Sequence, residues 1–240
     1  MRTEIASLAK QFRLMALYND CSKPNFEVRH EDFLLELLRR EANFREEKAA
    51  SERLKQAKFP SFKSFDDFDT DFQKGVTKQQ LEMLANLEWL EALFNLILIG
   101  PPGTGKTHIA LAIGNKAVKD GFKVSFIRMD NLIHVLKTAE ISRKSQYRLS
   151  WIRKCDLLII DELGYLPVSR NEANLFFSLI SELYENASVI ITSNKGFDGW
   201  AELLGDQILA TALLDRLTHR CQILNFADES YRFANRKNIF

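Results

Sequence analysis

Leu96-Ile97-Leu98-Ile99-Gly100-Pro101-Pro102-Gly103-Thr104-Gly105-Lys106-Thr107-His108-Ile109-Ala110 is the stretch that decides how this chain folds. Its first four residues are apolar without alternation, which reads as a strand buried on both faces. From His108 onward an apolar helical run follows. Between them lies the pattern G-x-x-x-x-G-K-[ST], from Gly100 to Thr107. A strand before the loop and a helix after it turn that pattern into a phosphate site. Glycines let the backbone wrap an anion with its N–H groups inward. The helix N-terminus adds positive potential. Lys106 is expected to reach the β- and γ-phosphates of ATP and the Thr107 hydroxyl to ligate Mg²⁺. The expected nucleotide contacts are Gly100, Pro101, Pro102, Gly103, Thr104, Gly105, Lys106, Thr107 and His108, joined by Asp161.

Downstream, Lys123–Met129 reads as a second strand. Asp156–Glu162 reads as a third, nearly all apolar and closed by two acids. Carboxylates at the carboxyl end of a buried strand face the crevice where open α/β sheets bind ligands. Asp161 is expected in the Mg²⁺ shell, and Glu162 beside it polarises the attacking water. Asn171–Asn186 has the spacing of a core helix. Ser188–Asn194 is the fourth strand, ending in Thr192, Ser193 and Asn194, polar groups placed to orient water. Short helices at Trp200–Leu204 and Leu209–Leu217 precede a fifth strand, Gln222–Phe226. Strands alternating with helices indicate a doubly wound parallel sheet.

Upstream, Ile5, Leu8, Phe12 and Met15 share one face of a helix read over Thr3–Leu17, broken by Asn19–Phe26 with Pro24. A long helix follows from Glu31 to about Lys58. Its early stripe of Phe33, Leu34, Leu37, Leu38 and Phe44 gives way to charged residues. Residues 1–59 therefore read as a small helical domain that docks a partner, because so apolar a stripe must be covered. Residues 60–240 form the second domain. It opens with Phe62, Phe65, Phe68 and Phe72 among acids, a segment that either wraps adenine or anchors a linker. Thr77 is placed to cap a helix running to about Leu93.

The 240 residues carry a formal net charge of +1, so any nucleic-acid surface must be local. One local bias is evident: Lys137, Arg143, Lys144, Arg148, Arg153 and Lys154 are accompanied by a single acid, Glu140. Tyr147 and Trp151 lie inside this stretch, four residues apart. It reads as a duplex-DNA contact made by Lys137, Arg143, Lys144 and Arg148. The three cysteines are far apart and show neither metal nor disulfide spacing. No apolar leader or membrane-length run is present, so a cytoplasmic protein without membrane contact is expected.

NLILIGPPGTGKTHIALAIG, DLLIIDELGYLP, SVIITSNKGFDGW, LLDRLTHR and SYR, in this order, closely resemble the IstB family of AAA+ ATPases, helpers of bacterial insertion sequences. The likeness runs from about Phe59 to Arg232. The family shares a clade with the helicase loaders DnaC and DnaI, and the GY after DE, Trp200 and SYR favour IstB within it. The resemblance implies a five-stranded parallel sheet of order 5-1-4-3-2 with helices on both faces. It implies Lys106 and Thr107 as Walker A, Asp161 and Glu162 as Walker B, and Asn194 as sensor I. Arg216 matches the arginine finger that acts on a neighbour's ATP. The implied function is a DNA-stimulated ATPase that forms a homo-oligomer on duplex DNA with ATP. It would deliver target DNA to the transposase encoded by the same element, docked through the N-terminal domain. A replicative helicase loader and a nucleotide-gated DNA clamp with little turnover are the competing readings. Two departures stand out: the chain ends soon after SYR, implying a short or missing lid, and Asp228 stands where the family pattern has a small residue.

Overall fold

The computed structural model describes residues 2–21, 31–73, 75–165, 168–227 and 230–234. Pro24, Asp228 and the basic tail with Arg236 and Lys237 lie outside them. The chain divides into two compact units, residues 1–52 and 53–240.

In the smaller unit the helix expected over Thr3–Leu17 is two helices, α1 (Arg2–Gln11) and α2 (Met15–Cys21). The break is a Schellman closure. Leu14 N donates to Ala9 O at 2.8 Å and Arg13 N to Lys10 O at 3.1 Å, with Arg13 left-handed at φ 60°. No glycine marks it, so hydrophobic spacing alone ran through it. Ile5, Phe12 and Cys21 pack with Leu35 and Leu38 of α3 (Glu31–Ala57). Phe33, Leu37 and Phe44 of the same helix stay exposed, at 63%, 44% and 62%.

α3 crosses the boundary between the units, and its last turn belongs to the larger one, where Ala57 is fully buried. There α4 (Lys78–Ala85) starts on a capping box between Thr77 and Gln80. The helix expected to reach Leu93 instead stops at Asn86, because Leu87 adopts φ 62° before the short α5 (Glu88–Glu91). Then come β1 (Asn95–Ile99), α6 (Lys106–Lys119), β2 (Val124–Arg128), α7 (Met129–Thr138), α8 (Arg143–Ile152) and β3 (Leu157–Leu163). α9 (Arg170–Leu183), β4 (Ser188–Ser193), α10 (Asp198–Leu204), α11 (Gln207–Thr218), β5 (Cys221–Asn225) and α12 (Tyr231–Ala234) complete it.

The sheet order is β2-β3-β4-β1-β5, all parallel, as expected. Side chains alternate across each strand. Leu96 and Leu98 face Ile109 and Ile113 of α6. Ile97 faces the opposite layer, with Phe176 of α9 and Trp200 of α10. Both layers are built of buried apolar side chains, and the loops at the carboxyl ends of the strands are left to carry chemistry.

β2 forms one edge of the sheet, and an uncovered edge offers unpaired backbone groups to other chains. α8 closes it. Trp151 Nε1 donates to Val124 O at 3.3 Å, and Arg148 Nη2 donates to Phe126 O at 2.7 Å. Arg148 Nη1 reaches Gln56 O, in the last turn of α3, at 3.0 Å. Burial lowers the Arg148 pKa. The expected phosphate contact at Arg148 is therefore corrected: its guanidinium is taken up by two backbone carbonyls. A planar fork can bridge two acceptors, whereas an ammonium is a point charge. Arg148→Ala should cost roughly 2–3 kcal/mol of stability, since hydrogen bonds to charged groups are worth about 1.5–3 kcal/mol. Urea unfolding measures this, and a loss under about 0.5 kcal/mol, the level of an ordinary surface change, would contradict the edge-closing role.

Candidate nucleotide site

The loop between β1 and α6 is shaped by its glycines. A Cβ on Gly103, at φ 83°, would lie 2.1 Å from Ser230 Oγ; one on Gly105, at φ 95°, would lie 2.6 Å from the Phe68 ring. The space a side chain would need is thus filled from both sides. Tyr231 N donates to Gly103 O at 3.1 Å, so the Ser230-Tyr231 step braces the loop. α6 begins at Gly105 without a side-chain cap, which leaves its first N–H groups for an anion. Lys106, 8% exposed, donates from Nζ to Gly100 O and Pro101 O, both at 2.7 Å. Thr104 Oγ1 donates to Pro101 O at 2.9 Å, and Pro102 continues the turn.

The acids converge on this loop from β3. Thr107 Oγ1 donates to Asp161 Oδ1 at 2.8 Å, and Thr192 Oγ1 of β4 donates to the same oxygen at 2.6 Å. Asp161 is 5% exposed. Glu162 N donates to Thr192 Oγ1 at 3.0 Å, so one threonine aligns both acids. A register shift between Ile160 and Leu163 makes a bulge, and Glu162 takes φ 63° within it. Bulges of this kind re-aim a side chain beside a site. The Glu162 carboxylate is turned toward the end of β2, where Arg128 Nη2 meets Oε2 at 2.7 Å. Asn194 lies just past β4, its Oδ1 2.9 Å from where a Cβ on Gly164 would stand.

Thr107 and Asp161 are hard oxygen donors already in contact, a pair that fits Mg²⁺. Among the described residues no three His, Cys, Asp or Glu side chains cluster to hold a metal unaided. A cation here would complete its shell with phosphate and water oxygens, as Mg²⁺ commonly does.

Beside the loop a cavity of about 450 Å³ is lined by Phe68, Gln73, Lys106, His108 and Tyr231 among others. The phenylalanine-rich segment is anchored at its edge. His108 Nε2 pairs with Ser64 O at 2.9 Å, and Asn115 Nδ2 donates to Lys63 O at 3.1 Å. His108 therefore serves this anchoring, with its ring edge-on to Phe68 at 5.6 Å.

Other expected site residues lie apart. Lys137 pairs with Glu172 at 2.8 Å, and this contact, with the Ser169 cap, pulls the Glu172 carboxyl down to about 2. Arg143 and Lys144 remain exposed in the first turn of α8. Cations are unfavourable at that end of a helix dipole, so helix stability does not account for them. Arg216 stacks on Phe177, 4.6 Å from the ring centre, and donates to Ala212 O at 3.1 Å. Its neighbour Leu217 accepts from Asn95 Nδ2 at 3.0 Å, beside the start of β1. The phosphate loop leaves the other end of β1, about 16 Å away at roughly 3.3 Å per residue. Arg128 was missed by sequence reading. Its signal was a lone charge ending an apolar strand on the crevice side of the sheet.

In the sheet, β4 stands between the strand of the loop and the strand of the acids, and a glutamate follows the aspartate. That arrangement sets the fold apart from simple kinases and GTPases and makes this an AAA+ P-loop protein of the ATP-binding class. Within the class, the chain belongs to the family described as IstB-like ATP binding protein, whose profile matches residues 7–239. It is 44% identical over 211 residues to the ATP-binding protein of insertion sequence IS21 from Pseudomonas aeruginosa, spanning 88% of this chain and 80% of that one. It is 36% identical to the corresponding protein of insertion sequence IS5376 from Geobacillus stearothermophilus, over 98% and 92% of the two chains. Among solved structures, DnaI superposes with a TM-score of 0.58 at 20% identity, over 69% of this chain and 91% of that one. AMPPCP-bound DnaA from Aquifex aeolicus superposes with a TM-score of 0.57 at 22% identity, over 73% and 53%. Both likenesses speak to fold alone. No helix among the described residues is long and apolar enough to cross a membrane.

Proposed function

We propose that this chain is a DNA-stimulated ATPase that assembles on duplex DNA and delivers a target site to a transposase. The observation that carries the ATPase reading is the shared oxygen of Asp161, which ties the loop threonine to the strand that also aligns Glu162. Lys106 and the uncapped start of α6 bind the phosphates. Thr107 and Asp161 would hold Mg²⁺, which when bound would supply positive charge against that of the phosphates. Glu162 polarises the water that attacks the γ-phosphate, and Asn194, whose side chain lies against Gly164, orients that water. Glu162 must first leave Arg128, so the pair is a restraint on hydrolysis.

Duplex contact is assigned to Arg143 and Lys144, with Lys137 able to join by giving up Glu172. Arg216 acts on the nucleotide of a neighbouring copy, because its place beside the start of β1 keeps it from its own loop. The exposed Phe33, Leu37 and Phe44 of α3 form the surface that docks the partner protein. The names of the relatives concern insertion sequences, which supports a transposase as that partner. Binding of residues 1–59 to a hexameric helicase instead would favour the loader reading. The clamp reading draws on the Arg128–Glu162 pair, which would hold turnover low if nothing released it.

Steady-state ATP hydrolysis with and without duplex DNA separates these. Duplex should raise the wild-type rate, and Glu162→Gln should bind ATP yet not hydrolyse it. Exposed ion pairs are worth up to about 1 kcal/mol, so Arg128→Ala should raise the DNA-free rate by up to roughly 5-fold. A wild type that turns over equally slowly with and without DNA would favour the clamp. Hydrolysis by Glu162→Gln at the normal rate would remove the Walker B assignment.

Each phosphate neutralised contributes about 0.9 to the slope of log affinity against log salt. Replacing Arg143 and Lys144 together by alanine should make that negative slope shallower by roughly 1.8 for duplex DNA. An unchanged slope and affinity would place the DNA surface elsewhere.

A further inference from the structure

The phenylalanine-rich segment ahead of α4, within the larger unit, carries a residue that anchoring does not explain. Gln73 is 2% exposed, a buried amide among residues that line the cavity beside the phosphate loop. Three of the segment's phenylalanines behave as anchors should: Phe59, Phe65 and Phe68 pack on the α6 side of the core, whereas Phe62 is exposed. Val76, three residues on, is buried there as well. Gln73 instead shares the cavity wall with Gly103, Gly105 and Lys106.

Its position is fixed by a tight turn. Asp69 Oδ1 accepts from Asp71 N at 3.1 Å and from Phe72 N at 3.0 Å, and Asp69 O accepts from Gln73 N at 3.0 Å. The same turn sets Phe72 edge-on to Tyr231, ring centres 5.2 Å apart. Tyr231 is itself tied to Gly103 O. The cavity thus has a phosphate end at the loop, aromatic walls at Phe68 and Tyr231 and, among the described residues, Gln73 as the one side-chain amide of its lining. A volume of about 450 Å³ is within the range of small-molecule sites.

We infer that Gln73 is a specificity residue that takes the edge of the adenine base of ATP. This rests on reading the cavity as the nucleotide's. An amide offers an acceptor and donors side by side. Adenine presents the complement, an exocyclic amino donor next to a ring-nitrogen acceptor, and glutamine pairs with it through both. A carboxylate only accepts. It loses the bond to the ring nitrogen, but it suits the adjacent donors at N1 and N2 of guanine.

The test uses the full chain and equilibrium binding of ATP, GTP and inorganic tripolyphosphate to the wild type, Gln73→Glu, Gln73→Met and Lys106→Ala. Gln73→Glu should lower the ratio of ATP to GTP affinity by roughly 10- to 100-fold. Gln73→Met, close in size and apolar, should weaken ATP by roughly 10-fold while leaving tripolyphosphate within about 2-fold. It keeps the idea open to refutation should the glutamate variant fail to fold. Equal weakening of ATP and tripolyphosphate would make Gln73 merely structural. No change in either variant would remove it from the site. If Lys106→Ala still binds ATP normally, the nucleotide lies elsewhere and the reading beneath the inference fails on its own account.

Discussion

Two hydroxyls meeting on one buried carboxylate oxygen are the constraint on which the rest of the site depends. Thr107 comes from the helix after the first strand, Thr192 from the fourth strand, and Asp161 from the third. Three segments distant in sequence are thereby held at one point, and burial at 5% exposure makes the arrangement costly to leave unsatisfied. The parallel sheet supplies this convergence, since all its carboxyl ends open on one side. Its order also places the fourth strand directly between the strands of loop and acids.

From that point the geometry spreads outward. The bulge after Ile160 turns Glu162 away from Asp161, so one acid is fixed in the interior and the other reaches the surface. Arg128 meets the exposed acid because it ends the neighbouring strand in register with Asp161. An attraction at this half-exposed position is weak enough to be broken by another charge. The positive groups are divided between the ends of the domain. Lys106 lies in the loop, whereas Arg216 is held on Phe177 on the opposite layer.

Much of this was legible in the sequence. Unbroken apolar runs gave the buried strands, and the glycines between Gly100 and Thr107 marked the tight loop that joins β1 to α6, because each pattern has one dominant physical cause. Helix breaks at Arg13 and Leu87 were not legible: both residues are left-handed without being glycine, and tertiary packing decides that. Arg148 was misread for a related reason. Spacing reveals which face of a helix is apolar but not that a neighbouring strand edge offers carbonyls, so a basic residue reads as solvated. Arg128 escaped because its partner is fixed by strand register, which no local window contains. Thr192 was noticed as polar at a strand end, but its bond to Asp161 was not foreseeable without the sheet order.

We propose that one folded chain holds only part of a hydrolysis site and that a neighbouring copy completes it with Arg216. Mixing Lys106→Ala and Arg216→Ala proteins on duplex DNA tests it most directly. The first lacks a working loop but keeps its arginine; the second keeps its loop and lacks the arginine. The account predicts that mixed assemblies recover ATP hydrolysis that neither variant shows alone. Co-assembly without any recovery would contradict it and would leave Arg216 a structural residue of its own chain.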